Sequence, residues 1–366
     1  MNSFRARTVV LCGVQWATAA ILSGFLGGWA AAEDQRSDYL VFLDASAQHH
    51  SGAPVGDEVK RDEGEAKATF LYSWQNDRYR FFGEAHAADE GDNELARLQW
   101  GWRLAPQTTA WVGRFHNPQG YWNTQYHHGA YLQAPIRRPG IEEFDGHEGG
   151  VLPSHFMGAQ LDGTRPAGQD GSLRYELGLG VSGALDEEGL ESPLIVGPRR
   201  SAKSTASLRL TYSPQEGGLD SFGIFIGRNR IPAKDLDFRE VRQTVAGVSV
   251  NKVEDNLRFI GAIFFLRNEL EGGAMSGAAG GFASAYLQVE YQWNALWTPY
   301  ARAEGSRGAD DDAYLMLFHH FVKGRGLAGL RRDFGRKQAL KLEYARSRIE
   351  AGRYNELSLQ WSMVFP

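Results

Sequence analysis

The chain has 366 residues, 44 acidic against 39 basic side chains for a formal net charge of −5, and one cysteine. The acidic balance argues against nucleic acid as a partner, and the lone Cys12 excludes a disulfide framework, a thiolate metal site and a cysteine nucleophile in the rest of the chain. Glycine (44 residues) and aromatics (12%) are abundant, and after residue 32 no apolar run nears the ~20 residues of a membrane helix, which leaves a soluble β-protein or a β-barrel.

The chain opens with Arg5 and Arg7 and no acid, then the apolar run TVVLCGVQWATAAILSGFLGGW, then Ala30-Ala31-Ala32 before the polar Glu33-Asp34. A basic start, an apolar middle and a small-residue site predict a secretory signal peptide over 1–32, cut after Ala32. An uncleaved membrane anchor is the competing reading of the same run. Residues 33–366 then form a single domain, with no internal repeat.

Downstream, apolar and polar residues alternate with period two. In the last segment Leu357, Leu359, Trp361, Met363 and Phe365 share one face, and Ser358, Gln360 and Ser362 the other. Leu173 to Val181, Ala206 to Tyr212, Ala285 to Trp293 and Leu340 to Tyr344 repeat the pattern. Alternation over ~10 residues suits a strand with lipid on one face and a wet lumen on the other, and a soluble sandwich would use shorter strands. Trp74, Trp100, Trp102, Trp293, Trp297, Tyr300, Trp361 and Phe365 cluster near strand ends, as interfacial girdles do.

The alternation predicts sixteen strands, at 39–46, 66–75, 78–87, 93–103, 107–116, 154–163, 172–182, 204–213, 219–229, 241–252, 256–267, 283–293, 298–306, 326–334, 338–348 and 356–365. The even number closes an all-β, antiparallel, up-and-down transmembrane barrel. Links after odd strands are long (47–65, 117–153, 183–203, 307–325 among them), whereas most after even strands are tight, as at Asn76-Asp77 and Gly335-Arg336. This assigns the long links to the extracellular side. AYLMLFHHFV (313–322) is placed in a loop, because a strand there breaks the parity.

The third extracellular loop, 117–153, holds His127, His128 and His147 with Tyr121, Trp122, Tyr126, Tyr131, Arg137 and Arg138. A connection of that length is usually functional, and it reads as a loop entering or covering the lumen. Tyr126, His127, His128, Arg137 and Arg138 are the expected constriction. Strand parity turns Arg80, Arg97, Arg103, Arg114, Arg174, Arg209, Arg258, Arg302 and Lys341 inward, with Glu84, Asp162, Glu176, Glu290, Glu304 and Glu343. Such a wall either favours small anions or is neutralised by its own carboxylates.

The histidines, with Glu143, Asp145 and Glu148, match no closed metal site, and no cofactor is implied. His49-His50 and His319-His320 read as loop pairs without a role. A barrel hydrolase would have to use Ser154-His155 beside Asp145, but neighbouring side chains on a strand face opposite ways and cannot meet. A closed barrel with a His- and Tyr-rich binding loop is the other alternative.

Two segments resemble the phosphate-selective porin family, within the porin-like superfamily of Gram-negative outer membranes. Trp111-Val112-Gly113-Arg114-Phe115-His116-Asn117-Pro118-Gln119-Gly120 is similar to the family's strand ending in a Gly-Arg-Phe-x-x-Pro turn. Gly329-Leu330-Arg331-Arg332-Asp333-Phe334 with Ala339-Leu340-Lys341-Leu342-Glu343-Tyr344 is similar to its final strands. The resemblance implies an outer-membrane barrel, often a homotrimer, that passes small anions or other small solutes. The third loop here is rich in His, Tyr and Trp, and the lysine-rich mouth loop of the phosphate-selective members is not evident.

Overall fold

The computed structural model describes residues 35–366, except 57–58, 90–92, 127–128, 145–148, 188, 194–202 and 336. Sixteen strands form a closed antiparallel barrel: β1 (Arg36–Gly52), β2 (Asp62–Gln75), β3 (Tyr79–Ala88), β4 (Asn93–Ala105), β5 (Thr108–His116), β6 (His155–Ala167), β7 (Gly171–Val181), β8 (Ser204–Ser213), β9 (Ser221–Pro232), β10 (Glu240–Glu254), β11 (Leu257–Glu271), β12 (Ala279–Tyr291), β13 (Trp297–Arg307), β14 (Gly324–Phe334), β15 (Gln338–Ile349) and β16 (Gly352–Phe365). Each pairs with its neighbours in sequence, and β1 closes on β16 with Val41 opposite Phe365 and Gly52 opposite Tyr354. Among the described residues no helix is long and apolar enough to cross a membrane.

The alternation that forms the strands also sorts them. On β16, Ser358 and Ser362 are fully buried inside while Leu357 and Leu359 are about half exposed outside. Ile224, Ile263, Phe265, Leu287 and Leu342 join that outward band. Polar inside and apolar outside inverts a soluble protein, and it is stable only where lipid covers the outer surface. At the short-turn end the band ends in aromatics, with Trp74 and Tyr79 packed on Trp100 at 6.1 and 5.8 Å between ring centroids.

Most strands run longer than the alternation predicts. β1 reaches Gly52, so the expected loop 47–65 shrinks to 53–61, and His49-His50 lies in a strand rather than a loop. The sheet continues beyond the apolar band, where period-two hydrophobicity fades but backbone pairing does not. Long and short links therefore alternate less regularly than expected: β15 and β16 are joined by 350–351, and β8 and β9 by 214–220. Within the link after β7, Leu185–Asp186 pairs with Gly189–Leu190 as a small hairpin. Residues 313–322 do lie in a connection, 308–323, which carries two 3-10 turns, Ala309–Asp311 and Leu315–Leu317.

Candidate pore and its constriction

The described residues of segment 117–154, between β5 and β6, run inside the barrel. The segment carries a one-turn helix α1 (Trp122–Gln125) and two 3-10 turns, Ala130–Leu132 and Gly140–Glu142. Its apolar side chains Trp122, Ile141 and Val151 pack with the inward-facing Phe225, Ile260, Phe264 and Tyr286. Tyr314, Phe318 and Phe321 of 308–323 join this cluster, and the Tyr314 hydroxyl donates to the Val151 carbonyl at 2.9 Å. An apolar patch on a wet wall would be costly, and covering it gains roughly 1.5–3 kcal/mol per fully buried large side chain.

The polar wall holds the same segment by its backbone. Arg302 donates to the carbonyls of Arg137 and Arg138, both at 2.8 Å. Arg331 donates to those of Tyr131 (2.7 Å) and Gln133 (3.0 Å), and Lys341 to that of Ala130 (2.6 Å). Arg209 donates to the Gly120 carbonyl. Carboxylates take the amides: Glu304 accepts from Gly140 (2.6 Å), and Glu343 from Ile136 (2.9 Å) and Arg137 (3.1 Å). A chain without strand partners must satisfy its backbone groups this way or leave them orphaned. Bonds to charged groups contribute about 1.5–3 kcal/mol each. Arg331 stands near the short-turn end of β14, so the segment descends most of the barrel's height.

Two loop residues reverse the pattern and present charge to the wall. Arg137 donates through Nε and Nη2 to Glu356, at 2.6 and 2.7 Å, and also to Gln48. Burial pushes its guanidinium down, but the Glu356 carboxylate outweighs this and holds it above its ordinary value. Glu142 accepts from the Tyr286 hydroxyl (2.7 Å) and from the amides of Tyr121 (3.2 Å) and Asn123 (3.1 Å). Burial raises its pKa, against the lowering effect of those bonds and of Arg138 and Arg209. Gly120, at φ +85°, leaves no room for a Cβ beside the Glu142 carboxylate.

Of the expected constriction residues, Tyr126 is buried against Trp122 at 5.1 Å between ring centroids and lies 5.9 Å from the Arg258 guanidinium. Arg138 is buried, donates to the Glu142 carbonyl at 2.9 Å and stacks 3.8 Å from the Phe144 ring. His127 and His128 lie outside the described residues, as do Asp145, His147, Glu148 and the predicted signal peptide. Among the described residues no group of three or more His, Cys, Asp or Glu could hold a metal ion.

The eight arginines assigned to the pore fall into four sets. Arg209, Arg258 and Arg302 grip the loop; Arg258 also bonds Asn251 (2.8 Å) and Tyr121 (3.1 Å). Arg97 pairs with Glu84 at 2.5 Å and Arg174 with Glu176 at 2.9 Å. Arg114 shares the register of Val112, on the outward face, yet its guanidinium is buried on Glu94 and the Leu95 carbonyl. The preceding Gly113, at φ +141°, interrupts the alternation there. Arg80 and Arg103 differ from the rest. They occupy diagonal positions on β3 and β4, form no ion pair among the described residues, and each keeps a buried Nε without an acceptor.

Ser154 and His155 do meet, contrary to the expectation from strand geometry. Ser154 Oγ lies 3.4 Å from His155 Nδ1, because β6 starts at His155 and Ser154 precedes the pleat. Ser192 Oγ lies closer to the same nitrogen, at 3.1 Å.

The segment packs on the β8 to β16 wall and leaves a cavity of about 850 Å³ along β1 to β4. Asp44, Ser46, Glu65, Lys67 and Glu94 line it from the wall, and Tyr126, Ile136 and Arg137 from the segment. Alternation marks Arg209, Arg258 and Arg302 as inward. The same alternation, extended past the apolar band, would have added His50 and Glu356. Glu142 has no such signal, since nothing local distinguishes it from Glu143.

No family model and no curated protein matches the chain. Solved structures do. The outer membrane channel DcaP of Acinetobacter baumannii aligns with a TM-score of 0.60 at 11% identity, covering 93% of this chain and 100% of that one. OmpF of Salmonella typhi, solved in complex with daunomycin, aligns at 0.58 and 13% identity over 92% and 99%. OmpT of Vibrio cholerae, an outer membrane protein in its trimer form, aligns at 0.55 and 11% identity over 91% and 100%. The chain therefore has the fold of Gram-negative outer-membrane porin-like barrels.

Proposed function

We propose that this protein is an outer-membrane porin that lets small solutes diffuse passively through a lumen narrowed by segment 117–154. The observation that carries the reading is the segment itself: it descends inside the barrel, held to one wall, and leaves a polar cavity beside the other. The structural likeness to outer-membrane channels supports it. Tyr126, Arg137 and Arg138, with His127 and His128, set the width. Residues 1–32 act as a cleaved export signal and the long connections face outside. The trimer form of a structural neighbour and the resemblance to phosphate-selective porins support a homotrimer with a lean to anions.

That lean belongs to Arg80 and Arg103, since the other inward arginines are paired or tied to the loop. Planar guanidiniums match small oxyanions and repel cations. Liposome swelling tests the pathway: proteoliposomes should admit small neutral sugars at rates that fall steeply with solute size. A folded barrel that admits none would leave the closed, binding-loop reading. The contact between Ser154 and His155 keeps a hydrolase as a third reading, and ester hydrolysis lost in Ser154→Ala would favour it.

A further inference from the structure

Arg332 stands where the barrel's own pattern calls for an apolar side chain. It lies on the outward face of β14, opposite Trp297 on β13 and Leu340 on β15. Its guanidinium is 5.1 Å from the Trp297 ring and 4.8 Å from the Phe334 ring. Aromatic faces attract the cation without cancelling its charge, and the adjacent Asp333 is spent on Arg331 at 2.7 Å. No carboxylate among the described residues pairs with Arg332.

The height of this site matters. Arg332 sits just above the β14–β15 turn, among the exposed Trp293, Phe334 and Phe365 of the aromatic belt. Headgroups begin at such a belt, and a lipid-facing arginine costs far less there than at mid-membrane. In the turn, Lys337 Nζ lies 5.9 Å from the Phe365 ring. Among the described residues these two cations laid over rings at headgroup height have no carboxylate in ion-pair contact, and a bilayer presents phosphate at that level.

We propose that Arg332, with Lys337, is a docking site for the phosphate of an anionic phospholipid in the leaflet at the short-turn end. The planar guanidinium fork suits phosphate oxygens, and the Trp297 and Phe334 rings hold it outward toward the lipid. The site depends on the barrel standing in a bilayer and is independent of whether the lumen conducts.

The test uses the mature protein, delipidated in non-ionic detergent, with thermal unfolding followed at rising concentrations of short-chain phosphatidylglycerol. A ligand of the folded state raises the midpoint in proportion to its occupancy. Phosphatidylglycerol should raise it in a saturable way, and Arg332→Gln should raise the half-saturating concentration at least fivefold. Lys337→Gln should raise it at least twofold, and Arg332→Lys, which keeps charge but not the fork, should fall between wild type and Arg332→Gln. Should Arg332→Gln not fold, the other two variants carry the comparison. An unchanged titration in the variants overturns the proposal. So does an equal shift from inorganic phosphate, which would make the site a free-anion site. Loss of self-association in Arg332→Gln with no lipid response would assign the face to a second copy and overturn it too.

Discussion

Glu142 gathers three donors: the Tyr286 hydroxyl from β12 and the amides of Tyr121 and Asn123. Glu142→Ala removes a shared acceptor of all three in a buried place, where a donor left unsatisfied costs about 1–3 kcal/mol. The barrel's own ladders are untouched, so the loss should fall on docking of the segment. We expect cleavage within 117–154 by added chymotrypsin to rise while the barrel resists. Arg137 is a different case, because its partner Glu356 is almost fully buried and belongs to a strand. Removing one member of a buried ion pair costs about 3–5 kcal/mol, toward the lower end here since Arg137 keeps some exposure. Arg137→Ala should lower the unfolding temperature of the whole barrel, and calorimetry would show it.

At the scale of elements, the inward segment is an apolar plug on one side and a polar face toward the cavity on the other. Trp122 is its keystone, fully buried, with its Nε1–H donating to Gln133 at 2.6 Å and its ring against Tyr286. Trp122→Ala should cost about 3–5 kcal/mol of packing, spent on undocking the segment rather than on unfolding strands. The expected readout is larger and noisier single-channel conductance than wild type. Part of this was legible in the sequence. FIGAIFFL (259–266) is apolar on both faces, as a strand covered by lipid outside and by protein inside must be. Its inward residues Ile260, Phe264 and Leu266 meet the plug. What covers them was not legible, because the partners lie in connections far away in sequence, 117–154 and 308–323. Alternation also failed at two informative places. In Arg331-Arg332 one arginine grips the loop and the other faces outward, and adjacent identical residues give parity nothing to choose by. At Arg114 the positive φ of Gly113 breaks the period that assigned the side chain.

At the scale of the whole molecule, the closure of β1 on β16 and the polar-in, apolar-out sorting follow directly from period-two patterning. The strand count held because the parity of short turns constrains it. The use of the lumen charges did not follow, since sequence records which way an arginine points and not what it touches. The central claim is that the space beside segment 117–154 conducts. Planar-bilayer recording of the purified mature protein in a salt gradient tests it most directly. The account predicts stable channels with a reversal potential on the anion side, at least halved in Arg80→Gln/Arg103→Gln with conductance preserved. A correctly folded barrel that forms no channels would contradict it.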